Sequence, residues 1–140
     1  MAESSPIALE IVTPDRAVVH EQVDEVQAPG AAGYFGVLPG HTPMLALLQV
    51  GTLWYRKGAE KHYLSLAGGV AEVTGDRVII LATIAERGEE IDVDRAQAAR
   101  QRAEKRLAEH QRDLDMERAR VSLLKAMTRL NVAHKARTRG

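Results

Sequence analysis

Hydrophobic and polar positions follow two rhythms along the chain. In the first half, short β-branched or aliphatic runs alternate with turn residues at intervals of about ten, the grammar of a sandwich or barrel of small strands. Ile7, Leu9 and Ile11 recur at period two and face one side of a strand that ends at Thr13-Pro14-Asp15. Further strands are expected over Val23 to Ala28, Gly51 to Arg56 and Lys61 to Leu66, the last two joined by a hairpin connection at Lys57-Gly58-Ala59-Glu60. Val70 to Val73 and Arg77 to Ala82 flank Thr74-Gly75-Asp76. Val78, Ile80 and Ala82 alternate with Ile79, Leu81 and Thr83, so that strand reads as apolar on both faces and central.

The second rhythm is helical. All five prolines and ten of the eleven glycines precede residue 89, and Glu89 to Arg139 contains neither residue. The boundary is therefore set at Gly88, with a β domain over 1–88 and a helical domain over 89–140. Ala96, Ala99, Ala103 and Leu107 form one stripe at helical spacing, and Met116, Ala119, Leu123, Met127 and Leu130 form another. Small alanines on the first helix allow close approach of the larger Leu and Met side chains, which favours an antiparallel hairpin turning near Arg112 to Asp115. Only Asp113 and Asp115 offer cap chemistry there, so a single continuous helix of about 75 Å, at roughly 1.5 Å per residue, competes with the hairpin. The fold class is α+β: an all-β sandwich of about ten strands followed by a two-helix hairpin.

Composition narrows the choice of function. At 140 residues and 15.3 kDa, with 45% hydrophobic and 27% charged residues, the chain is one medium domain or a small domain with an appendage. Nineteen basic residues balance nineteen acidic ones, which argues against a uniformly basic nucleic-acid binder. The absence of Cys removes disulfides and thiolate chemistry. The longest apolar stretches, such as Val78 to Ala82, fall far short of the roughly 20 residues that span a bilayer, and Met1 to Pro6 shows no leader pattern, so no direct membrane insertion and no secretion are expected.

Most chemical motifs are missing. Gly30-Ala31-Ala32-Gly33-Tyr34-Phe35-Gly36 lacks the Gly-Lys-Ser/Thr ending of a phosphate loop and reads as a turn-rich connection. His20, His41, His62, His110 and His134 show no metal-ligand spacing, and no serine stands in a nucleophile context, so neither a metal nor a catalytic residue is expected. Val37-Leu38-Pro39-Gly40-His41-Thr42-Pro43 is a rigid loop suited to partner contact.

The helical half carries the sharper signal. Asp92 or Asp94 can cap the first turn. Arg95 and Arg102, seven residues apart, share a face of the first helix, as Lys125 and Arg129 share one of the second. In a closed hairpin these cations, with Asp92, can hold an anion bearing an amine-carrying base, such as a nucleotide; the competing reading is a solvated basic face. Residues 100–140 hold twelve Lys or Arg against five Asp or Glu, whereas 1–88 hold six against ten. An acidic protein surface suits this basic arm better than nucleic acid does, because the arm has no aromatic residue for stacking.

Four motifs in order resemble the epsilon subunit of bacterial F-type ATP synthases: Val12-Thr13-Pro14, Gly36-Val37-Leu38-Pro39-Gly40-His41, Gly68-Gly69-Val70-Ala71-Glu72-Val73 and Ala85-Glu86-Arg87. Ile91-Asp92-Val93-Asp94-Arg95-Ala96 is similar to the Ile/Leu-Asp-x-x-Arg-Ala motif of the members that bind ATP. The resemblance implies a ten-stranded sandwich and two helices. It also implies a non-catalytic rotor subunit, peripheral on the cytoplasmic face of the plasma membrane, in an enzyme that couples proton translocation to ATP synthesis. The sandwich would contact the gamma subunit and the c-ring, with Tyr34, Leu38, Gly40 and His41 at those contacts. The extended helices would reach the alpha and beta subunits and inhibit ATP hydrolysis. ATP, as a regulatory ligand and not a substrate, would favour the folded hairpin through Glu86, Asp92, Arg95, Arg102, Lys125 and Arg129. Lys125 stands where the family pattern has arginine, which keeps the charge and loses the planar fork. The alternative is a non-enzymatic adaptor with a β-sandwich and a helical interaction arm.

Overall fold

The structure, a computed structural model, describes residues 6–109 and 113–138. Strands β1 (Ile7–Val12), β2 (Ala17–Val23), β3 (Glu25–Gly30), β4 (Gly33–Val37), β5 (Met44–Lys57), β6 (Glu60–Val73), β7 (Arg77–Ala82) and β8 (Ala85–Arg87) lead through a 3-10 turn (Gly88–Glu90) into helices α1 (Val93–Ala108) and α2 (Asp113–Thr138). The strands form one sheet in the order β2-β1-β7-β6-β5-β3-β4, with β8 pairing to β6. Among the described residues β1 and β7 run parallel and the other pairs are antiparallel.

The sheet becomes a sandwich because β5 and β6 are long enough, at 14 residues each, to belong to two layers. The second half of β6 pairs with β7 and its first half with β8, while β5 follows it throughout. The bend falls at Gly68 and Gly69, with φ of 84° and 143°. A Cβ on Gly69 would collide with the Leu81 carbonyl oxygen, so both the backbone angle and the crowding require glycine.

This bend corrects the expected strand list. Lys61 to Leu66 and Val70 to Val73 are one strand, and Gly51 to Arg56 is the second half of another, so there are eight strands among the described residues where about ten were expected. The expected strands stop at Leu66 and resume at Val70, but the ladder with β5 continues between them. Val23 to Ala28 divides at Asp24 between β2 and β3. The glycine-rich connection is itself a hairpin: β3 and β4 pair up to Gly30 and Gly33, leaving Ala31 and Ala32 as the turn. β7 does lie inside the sheet, between β1 and β6.

Ile7, Leu9, Ile11, Val19, Val26, Leu53, Tyr55, Leu64, Leu66 and Ile80 fill the core between the layers. Burying each large aliphatic side chain stabilises the fold by about 1.5–3 kcal/mol, which makes this core the main source of stability.

The helices close as a hairpin against β5 and β6. Two packed helices with so short a connection run antiparallel, which disposes of the single long helix. Of the expected turn, Arg112 lies outside the described residues and Asp113 already opens α2. The buried stripes are built from alanine on both sides, Ala96 and Ala103 on α1 and Ala119, Ala126 and Ala133 on α2, each at a spacing of seven. The expected α2 stripe is therefore rotated: Met127 is exposed, and Met116, Leu123 and Leu130 are only half-buried. α2 touches both α1 and the sheet, so its buried arc is wider than one stripe and includes Thr128 and Val132.

Candidate functional site

The helices meet the sandwich around a cleft of about 400 Å³, lined by Glu86 of β8, Ser65 of β6, Arg95 of α1, and Ser122, Lys125 and Arg129 of α2. Periodicity explains the convergence. Arg95 and Ala99 lie one turn apart on α1, and Ser122, Lys125, Ala126 and Arg129 follow the three-and-four spacing of one α2 face. Glu86 projects from β8 on the side opposite Ala85 and Arg87, as strand alternation dictates.

Glu86 and Arg129 are paired by two parallel bonds. Arg129 Nε donates to Oε1 at 2.7 Å and Nη2 donates to Oε2 at 3.1 Å, with both side chains less than a third exposed. This fork fixes direction as well as distance and ties the middle of α2 to the edge of the sandwich. With these two charges matched, the cleft still presents the Arg95 guanidinium, the Lys125 ammonium and the hydroxyls of Ser65 and Ser122. Such a donor set suits an anion, and the volume lies within the roughly 300–1,000 Å³ usual for small-molecule sites.

Four of the six expected ligand residues thus come together: Glu86, Arg95, Lys125 and Arg129. The other two do not line the cleft. Asp92 is the N-cap of α1, accepting the Arg95 N–H at 3.0 Å, so its carboxylate satisfies an orphan helix donor. Arg102 is exposed, two turns along α1 from Arg95. Reading the sequence missed Ser65, Ser122 and Ile84, which join the cleft only through the fold.

The other expected surface is divided. Leu38, Gly40 and His41 line a shallow hollow with Glu25, Gly36 and Pro39. The His41 Nδ1–H donates to the Thr42 carbonyl at 2.6 Å, which fixes the ring. Tyr34 instead lies with Leu45 and Leu47 in a neighbouring hollow, and its hydroxyl accepts the Thr52 N–H at 3.1 Å. The reading also missed a row of exposed aliphatics. Leu47 is paired with Val70, and Val70 with Leu81, across β5, β6 and β7. Leu47 is 69% exposed and Leu81 58%, an apolar strip that a lone soluble domain has no reason to keep. Its signal was the apolar alternation on both faces of β7, which was taken only as a sign of central position.

Residues 6–88 match the family model for the β-sandwich domain of the ATP synthase delta/epsilon chain, and residues 89–134 match that for its long α-helix domain. The chain belongs to the ATP synthase delta/epsilon family. Among its relatives, the ATP synthase epsilon chain of Syntrophobacter fumaroxidans is 53% identical over 96% of this chain and 99% of that protein. That of Nitratidesulfovibrio vulgaris (strain DP4) is 49% identical over 89% of this chain and 92% of that protein. Solved structures share the fold. A chain of the Euglena gracilis mitochondrial ATP synthase has a TM-score of 0.78 at 24% identity, covering 89% of this chain and 79% of that one. A chain from the central stalk and c-ring structure of the Tetrahymena thermophila mitochondrial enzyme has a TM-score of 0.61 at 14% identity, covering 98% of this chain and all of that one.

Proposed function

We propose that this chain is a non-catalytic rotor subunit of an F-type ATP synthase and that its helical hairpin is a movable brake on ATP hydrolysis. The observation that carries the reading is the Glu86–Arg129 fork, which joins α2 to the sandwich by polar contacts that can exchange for others. Two further polar ties join the parts, beside a small apolar cluster in which Ile91, Val132 and Ala133 pack with Tyr63 of β6. Arg16 pairs with Glu90 at 3.1 Å, and the Lys135 ammonium lies 5.5 Å from the centre of the Tyr63 ring.

In the closed state the basic helices lie down on the sandwich. Released, they would extend toward the alpha and beta subunits, where a basic arm meets acidic surface and blocks hydrolysis. ATP is the regulatory ligand: Arg95 and Lys125 would take its phosphates, with Arg129 adding charge if its fork to Glu86 loosens. Asp92 and Arg102 contribute only if α1 shifts on binding. A ligand specific to the closed form stabilises it by about 2.7 kcal/mol at one hundred times its dissociation constant, enough to move a balanced hinge almost completely. The Leu47–Val70–Leu81 row, with the Tyr34 and His41 loops, is the surface offered to the gamma subunit and the c-ring. No helix among the described residues is long and apolar enough to cross a membrane, and attachment to the cytoplasmic face would come through these partners.

Two measurements test the reading. Titration of the full chain with ATP should release heat, and Arg95→Ala should weaken binding about tenfold or more through loss of a charged donor. Chain ending at Gly88, reconstituted with the rest of the enzyme, should leave ATP hydrolysis uninhibited where the full chain slows it. Equal inhibition by both would remove the brake.

A further inference from the structure

We propose that Tyr55 and Arg87 are positioning residues for Glu86: a half-buried side-chain network of the sandwich sets the strength of the fork that holds the hairpin down. The inference rests on the regulatory reading above and deepens it, since it names what in the sandwich controls the latch.

β8 has three residues and lies on a sheet edge, paired only with β6. So short an edge strand has few ladder bonds to hold its direction, yet Glu86 must present both carboxylate oxygens to one guanidinium. Its neighbour provides the hold. Arg87 turns inward, and its Nη1 donates to the Tyr55 hydroxyl at 3.1 Å. That hydroxyl donates to Glu21 Oε2 at 2.6 Å, and Glu21 Oε1 accepts from Lys57 Nζ at 2.8 Å. Arg87 Nη2 also stands 3.6 Å from Glu21. Three strands distant in sequence, β2, β5 and β8, thus meet at one phenol.

Tyr55 is fully buried and is the largest of the fully buried side chains. Its ring also stacks on His62, with centroids 5.0 Å apart. Burying a hydroxyl and part of a guanidinium is costly unless each is bonded in a defined direction, and direction is what this network supplies. An apolar residue at 87, beside buried Ala85, would pack without fixing the strand's rotation. With Arg87 tethered, residue 86 on the opposite side of the strand has its direction fixed as well.

The test is a double-mutant cycle on the full chain. Glu86→Gln and Arg129→Gln are made singly and together, in the native background and with Tyr55→Phe, which keeps the ring and removes only the hydroxyl. Hairpin opening is read from amide exchange at Val132 and Ala136, and sandwich opening from Leu66 and Ile80. In the native background the pair should show a coupling of about tenfold in the opening equilibrium, falling to about twofold with Tyr55→Phe. A sandwich weakened elsewhere by Ile80→Val should keep the tenfold coupling, which separates positioning from general destabilisation. Equal coupling with Tyr and Phe, or equal loss in the Ile80→Val background, overturns the inference and leaves the latch intact. No coupling in the native background overturns both the inference and the latch.

Discussion

The sandwich and the hairpin are stabilised by different chemistry. The twelve largest fully buried side chains all lie in the β domain, Tyr55, Ile7 and Leu9 among them. In the described part of the helices the buried residues are five alanines, Thr128 and Val132. An alanine methyl contributes about as much as one buried CH₂, roughly 0.8 kcal/mol, so the hairpin gains less from burial than the sandwich and relies on fit, on the small Ile91–Val132–Ala133 cluster and on a few polar ties. A segment held this way can leave while the rest stays folded, because local opening draws on regions with few apolar contacts. The difference teaches that the part proposed to move is the one whose seat lacks large buried side chains.

Two glycines sharpen the contrast, and the larger effect belongs to the sandwich. Gly69→Ala combines a positive φ with a clash against β7, and should lower global stability by about 3 kcal/mol or more, seen as a lower melting temperature for the whole chain. Gly88→Val acts on the hairpin. A Cβ at Gly88 would stand 2.6 Å from the Ala136 Cβ and 3.0 Å from the Val132 carbonyl oxygen. The helix must move away, so hydrogen exchange in α2 should quicken by about 2 kcal/mol of lost protection while the sandwich core stays protected. If Gly88→Val unfolded the sandwich along with the helices, the two parts would not be separable.

Breaking the fork has a smaller effect. Arg129→Gln leaves the half-buried Glu86 without its partner and should favour opening by about 1–2 kcal/mol, less at high salt where the native pair is itself screened. Hairpin exchange measured against ionic strength checks this, with a steep slope in the native chain and a shallow one in the variant.

A pH dependence, by contrast, originates in the sandwich. The hydrogen bonds from Lys57 and Tyr55 hold the Glu21 carboxyl down at about 2, against an ordinary 4.5, while burial and the bond to Glu21 push the Tyr55 hydroxyl up to about 12. The unfolded chain takes up the Glu21 proton at higher pH than the folded one, so this contribution is complete above pH 4.5 and lost as the pH falls toward 2. Glu21→Gln should flatten that part of the acid denaturation curve.

Much of this was legible in the residues, and the misses have physical causes. Ile7, Leu9 and Ile11 alternate because one face of β1 is core, and all three are fully buried. The boundary set at Gly88 rests on the absence of proline and glycine from Glu89 to Arg139. The bend at Gly68-Gly69 was not legible, since a glycine pair that ends a strand and one that turns it between layers look alike without the partner strand. The α2 stripe was misplaced because period alone cannot register contact with two surfaces at once. At the cleft, Arg95, Lys125 and Arg129 were found from spacing along single helices. Arg102 shares the face of Arg95 but lies too far along α1 to reach the cleft. Ser65 and Ser122 carry no local pattern, and only the hairpin's closure brings them together.

The most direct test of the central claim uses the absence of native cysteines. Single cysteines at the exposed positions Glu72 and Arg120 can carry spin labels on sandwich and α2, and the distance between them can be followed in the full chain as ATP is added. The account predicts two distance populations, the shorter growing with ATP while the sandwich is unchanged. A single distance, indifferent to ATP and to Arg129→Gln, would contradict it.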